Sequence, residues 1–161
     1  MNEEYRKWLD RAETEKKINQ KWLKQQKGQK NLDEKFHTKH QAAFEKIDCL
    51  QCANCCKTTS PIFRDVDIER IAQHLRIKPS QFTEQHLHID EDGDWVLNQS
   101  PCLFLQEDNT CRIYEHRPKA CREYPHTDRK RFFQISKLTY QNTFICPAVF
   151  DVVEGLKPIY E

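Results

Sequence analysis

Only three glycines punctuate this chain of 161 residues, and hydrophobic residues make up 37% of it, below the roughly 45–50% usual for a globular domain. A thin core is the expectation. No window approaches the ~18 consecutive apolar residues of a membrane-spanning helix. The opening segment, MNEEYRKWLDRAETEKKINQ, lacks the apolar run of a secretory leader, so a cytoplasmic protein is expected. There is no excess of charge of one sign: the net charge is +1, which gives no general affinity for nucleic acid or for an anionic membrane. No Ser-His-Asp set, paired carboxylates, phosphate-binding loop or internal repeat stands out. The sequence therefore names no substrate and no reaction.

What the chain does have is cysteine, eight in all, and four of them fall within DCLQCANCCK at residues 48–57 as C-x2-C-x2-C-C. In a reducing compartment clustered thiols are seldom a disulfide framework, and they point to metal binding or catalysis. Thiolate is a soft ligand that selects zinc, copper(I) or iron-sulfur clusters. A zinc ribbon needs two paired knuckles, whereas Cys102, Cys111, Cys121 and Cys146 stand alone. C-x2-C-x2-C wraps three thiolates around one compact object, as in bacterial ferredoxins, where a remote cysteine followed by proline completes the set. Cys146-Pro147 has that local form. By spacing, an iron-sulfur cluster, [4Fe-4S] in type, is favoured over zinc.

The doublet Cys55-Cys56 adds a constraint, because adjacent side chains in most backbone conformations point apart. One partition puts Cys49, Cys52 and Cys55 on one centre closed by Cys146, with Cys56, Cys102, Cys111 and Cys121 on a second. A single cluster with the remaining thiols buried is the alternative.

Around these thiols the pattern predicts a small irregular α+β domain over residues 49–161, preceded by an N-terminal helical arm over residues 1–48. In the arm, Tyr5, Trp8, Leu9 and Ala12, then Ile18 and Trp22, keep helical spacing up to Gly28, after which Leu32, Phe36, Ala43 and Ile47 form a weaker stripe. The arm is expected to dock through Trp8 and Trp22. Further on, Asp65 or Asp67 suits the N-cap of a helix carrying Ile68, Ile71 and Leu75, and another helix starts near Pro79 and carries Phe82 and Leu87. Asp92-Gly93 reads as a turn before a strand at Trp95–Leu97. The polar turn QEDNT suggests a hairpin between Cys102 and Tyr114. Pro118 fits the first turn of a short helix, Phe132–Thr139 reads as a strand, and PAVFDVVEGL reads as a helix ended by Gly155.

The cysteine pattern resembles the YkgJ-type cysteine cluster family, named for CxxCxxCC and described as zinc- or iron-chelating. Beyond Cys49, Cys52, Cys55 and Cys56, the likeness runs through Pro101-Cys102-x-Phe104-Leu105, Cys111-x-Ile113-Tyr114, Arg117-Pro118, Cys121-Arg122, Tyr124-Pro125 and Cys146. It implies a metal or cluster held by these thiols and supplies no reaction. Flagellin lysine methylases are similar in motif but longer, so methyl transfer is not carried over.

His126 is a candidate replacement ligand, and Arg117 and Arg122 are candidate donors to a thiolate or sulfide. DRKRFF at residues 128–133 is the one basic-aromatic cluster, explained as well by a charged turn as by RNA contact. The first reading is a metal-binding protein of unassigned reaction. The alternatives are an oxidoreductase of thiol-disulfide exchange or electron transfer, and a zinc-stabilised adaptor binding protein or RNA with the helical arm as its partner surface.

Overall fold

The computed structural model describes residues 1–159. In chain order the elements are α1 (Glu3–Thr14), α2 (Lys16–Gln25), α3 (Leu32–Phe44), α4 (Cys49–Cys52), α5 (Asn54–Thr58), α6 (Asp65–Leu75) and α7 (Pro79–His86). Then follow β1 (Leu87–Ile89), β2 (Trp95–Leu97), α8 (Lys119–Glu123), α9 (Ser136–Asn142) and α10 (Pro147–Leu156), with 3-10 turns at Tyr114–His116, Phe132–Ile135 and Lys157–Ile159. The fold is a small α+β one, 59% helical, with a two-stranded sheet as its β part. Contacts divide it into two compact units, Met1–Cys52 with Pro125–Glu161, and Ala53–Tyr124. The boundary expected at residues 48/49 lies inside the first of them.

In the first unit, the Asn2 side chain accepts the Tyr5 N–H at 2.9 Å and starts α1, with Glu3 and Glu4 placed favourably against the helix dipole. The hub is α10, whose Ala148, Val149, Phe150, Val152, Val153 and Leu156 are buried. Both α1 and α3 pack on it, and Arg11 on α1 bonds Glu154 on α10 at 2.9 Å. The arm's apolar residues are used here: Tyr5, Ala12, Trp22, Leu23, Phe36 and Ala43 are buried, and Trp8 packs against them. Ile18 falls off the stripe and is 60% exposed.

Two expectations are corrected in this unit. Residues 132–139 form a 3-10 turn running into α9 instead of a strand. The buried positions Phe132, Thr139, Asn142 and Thr143 recur at helical intervals, and Phe132 stacks on Phe36, so tertiary burial overrides the β-branched and aromatic composition. Gly155 lies within α10, which continues to Leu156 and passes into the 3-10 turn.

The second unit has its own core of Phe63, Ile68, Ile71, Ala72, Phe82, Leu87, Leu97, Phe104 and Ile113. The strands pair antiparallel in the register Leu87↔Leu97, His88↔Val96 and Ile89↔Trp95, across a turn in which Gly93 takes a φ of 86°. Leu87 thus opens β1 instead of ending α7. The N-cap of α6 is Arg64, and Asp67 sits at the third helical position, where its carboxylate accepts the Arg64 N–H at 3.2 Å. The expected hairpin is reduced to one bridge, Leu105↔Cys111, flanked by an Arg112 N–H to Phe104 carbonyl bond at 2.9 Å. Pro118 is the N-cap residue of α8. Among the described residues no helix is long and apolar enough to cross a membrane.

Candidate metal centre

Cys49 and Cys52 lie three residues apart on the single turn of α4, which puts both side chains on one face. The turn is anchored just before them. The Asp48 N–H donates to the Tyr5 hydroxyl at 3.1 Å, and the Asp48 side chain accepts the Leu50 N–H at 2.9 Å. Cys146 caps α10 in extended backbone, so the amides of Ala148 and Val149 point at its sulfur. Burial pushes the Cys146 thiol up to about 12; the backbone amides oppose this, and Cys49 and Cys52 push it further upward. The first unit therefore brings three thiols into electrostatic reach of one another.

Ala53, with φ at 49°, separates α4 from α5. A left-handed residue with a side chain is strained by about 1–2 kcal/mol, so the chain bends here against a local cost. On α5 the sulfurs of Cys55 and Cys56 stand 4.0 Å apart. They diverge less than adjacency predicts.

In the second unit Cys56 is drawn to the other segments through its backbone. The Cys102 N–H donates to the Cys56 carbonyl at 2.8 Å, and the Ser100 hydroxyl donates to the Lys57 carbonyl at 2.8 Å. The bridge Leu105↔Cys111 brings the next cysteine alongside. Backbone amides of Phe104 and Leu105 point at the Cys102 sulfur, and that of Ile113 points at Cys111.

Cys121, on α8, is positioned by a carboxylate and an arginine of α6. Asp67, fully buried, accepts from the backbone N–H of Lys119 at 3.2 Å and from Arg70 Nη2 at 2.7 Å. The same Arg70 nitrogen donates to the Arg117 carbonyl at 2.8 Å. The Arg117-Pro118 turn is thereby bracketed from α6.

The electrostatics of these four thiols interlock. The Cys55 hydrogen bond lowers Cys56 to about 7 against the effect of burial, with Arg117 and Lys57 adding to the lowering. Burial raises Cys102 and Cys111. It also raises Cys121 to about 12, helped by Cys56, Cys102 and Cys111 and opposed by Arg117. As the side chains stand, no three His, Cys, Asp or Glu among the described residues converge closely enough to hold a metal ion. The chemistry of the donors nevertheless fits a soft cation or cluster. They are all sulfur, several backbone amides face them, and the mutual repulsion of their thiolates would be relieved by positive charge.

The amides at Phe104, Leu105, Ile113, Ala148 and Val149 and the Asp67–Arg70 bracket were not singled out by sequence. The available signals were the residues just after each cysteine and an Asp-x-x-Arg pair in the first turns of a helix. Arg122 donates to the Arg117 carbonyl at 3.0 Å. His126 has φ at 66° and belongs to the first unit, whereas Cys121 belongs to the second. In the DRKRFF stretch Arg131 takes φ at 56°, and the amides of Arg131 and Phe132 donate to the Asp33 carboxylate at 2.6 and 2.9 Å. That stretch is a capped turn over a buried phenylalanine.

Among known proteins, "Uncharacterized protein MJ0661" of Methanocaldococcus jannaschii is 27% identical over 100 residues, 60% of this chain and 53% of that protein. The chain thus spans about half the length of this curated relative. No solved structure matches. A family model described as "CxxCxxCC: Putative zinc- or iron-chelating domain" matches residues 48–146, more than half the chain and a span that contains all eight cysteines, and the chain belongs to that family.

Proposed function

We propose that this protein is a metal-chelating protein whose thiols hold an iron-sulfur cluster of the [4Fe-4S] type, in a reducing, cytoplasmic setting and with no reaction assigned. The observation that carries the reading is the gathering of Cys56, Cys102, Cys111 and Cys121 from separate segments into one unit, where each of the first three raises the proton affinity of Cys121. Cys49, Cys52 and Cys146 lie together in the first unit, whereas Cys55, expected on the same centre, falls in the second unit beside Cys56. In the sequence, the C-x2-C-x2-C spacing and the Cys146-Pro147 step favour a cluster. When bound, the group would supply either redox chemistry or a structural crosslink.

Zinc is the second reading, because four thiolates from one compact unit are also the donor set of a closed structural zinc site. Apart from the exposed Ile18, most of the arm's large apolar residues are packed within the first unit, so a protein partner meeting the arm would read mainly its charged faces.

The test is anaerobic purification followed by an absorption spectrum and analysis for iron, sulfide and zinc. Iron with sulfide and broad visible absorption is the expected result. Stoichiometric zinc in a colourless protein would replace the cluster by the second reading. Neither metal, together with ready disulfide formation, would overturn chelation and favour thiol-disulfide exchange.

A further inference from the structure

Arg117 is held at both ends. Its carbonyl accepts from Arg70 at 2.8 Å and from Arg122 at 3.0 Å, and its guanidinium carbon lies 3.4 Å from the centre of the Tyr114 ring. That ring covers one face of the guanidinium and leaves the group's edges to hydrogen-bond. Its Nε is buried and has no hydrogen-bond partner, and no carboxylate among the described residues lies within ion-pair distance of it. A guanidinium cannot shed its proton to escape this situation. A buried charged donor without an acceptor is expensive, so an acceptor is expected where it points. Arg117 sits between two of the second unit's thiols: the Tyr114 N–H on one side donates to the Cys111 carbonyl at 3.2 Å, and α8 on the other carries Cys121. Its charge acts on both and on Cys56. Bound to a cation, these sulfurs would present negative charge to a donor.

We infer that Arg117, braced on Tyr114, is a positioning residue for the second unit's metal centre, whose buried Nε–H donates to a metal-bound sulfur of Cys56, Cys111 or Cys121. The inference rests on the reading of these thiols as ligands. Four thiolates carry more negative charge than a divalent cation neutralises, and the guanidinium offsets part of the excess. Arg122, whose exposed Nη1 donates to the Arg117 carbonyl and whose side chain has no buried unpartnered donor, is the control.

The experiment is competition for zinc alone between the reduced full-length protein and a chromophoric chelator. It is followed for the component of binding that Cys121→Ser abolishes. Arg117→Gln should weaken that component about 10–100-fold, the usual effect of losing a partner of a metal ligand. Arg117→Lys should recover part of the loss by restoring charge, and Arg122→Gln should stay near the parent.

Tyr114→Leu, which keeps the cation and removes its platform, should fall between the parent and Arg117→Gln. It serves as the test should Arg117→Gln fail to fold. Parent-like affinity in Arg117→Gln, or equal losses for Gln and Lys, overturns the inference and leaves chelation standing. A parent chain that takes up no zinc and no iron overturns both.

Discussion

Among single residues Asp67 carries the most structure per atom. Its side chain is wholly buried, which by itself would raise its pKa, but hydrogen bonds from Arg64, Arg70 and the Lys119 amide outweigh burial and hold the carboxyl at about 2 against an ordinary 3.8. The folded value is the lower one. Its stabilisation is therefore fully present above pH ~4 and is lost as pH falls toward about 2. The shift corresponds to about 2 kcal/mol. Asp67→Asn should cost about that much in unfolding free energy near pH 7, and the gap to the parent should close as the acid limb is descended in denaturant titrations. A gap that persisted unchanged at pH ~2 would place the effect in shape and not in charge. Because Asp67 holds the turn leading to Cys121, the substitution should also weaken metal retention without touching a ligand.

At the scale of elements, α10 is the hub of the first unit, and it contains a glycine that no turn requires. A Cβ on Gly155 would meet only the Lys39 side chain, with Cδ and Nζ at 3.3 Å, and that flexible chain can move aside. Glycine within a helix costs roughly 0.5–1 kcal/mol relative to alanine. Gly155→Ala should accordingly stabilise the protein by up to about 1 kcal/mol in equilibrium unfolding, and a loss of stability would mean that Lys39 is needed where it stands.

The helices also mark how far sequence reasoning reaches. The stripes of α1 and α6 were legible because apolar residues keep helical spacing over two turns or more, whereas in α2 the buried side runs through Asn19, Trp22 and Leu23 and leaves out Ile18. The segment at residues 132–139 was not legible, because Phe132-Phe133 and Ile135 imitate a strand until one knows that Phe36 waits to stack on the first of them. A partner distant in sequence decided that case. The family was legible from cysteine spacing, while the amides facing the sulfurs and the Asp67–Arg70 bracket depend on backbone geometry that composition does not encode.

For the molecule as a whole, each unit has a modest apolar core and its own cysteines. On the proposed function, ligation would tie segments from distant parts of the sequence to one point, and metal binding would then contribute directly to folding. This arrangement predicts how losses combine. Within the second unit, Cys102→Ser and Cys121→Ser each remove a thiol of the same set, so the double variant should lose scarcely more metal than either single one, since residues acting as a unit are non-additive. Cys146→Ser removes a thiol of the first set, and combined with Cys121→Ser its loss should add. Metal per chain, measured after anaerobic purification of these five variants beside the parent, separates the cases. Two sets give partial content in every single variant and the lowest content in the Cys121→Ser, Cys146→Ser pair. If Cys121→Ser and Cys146→Ser each removed all of the metal, a single centre served by thiols from throughout the sequence would replace the two-set partition.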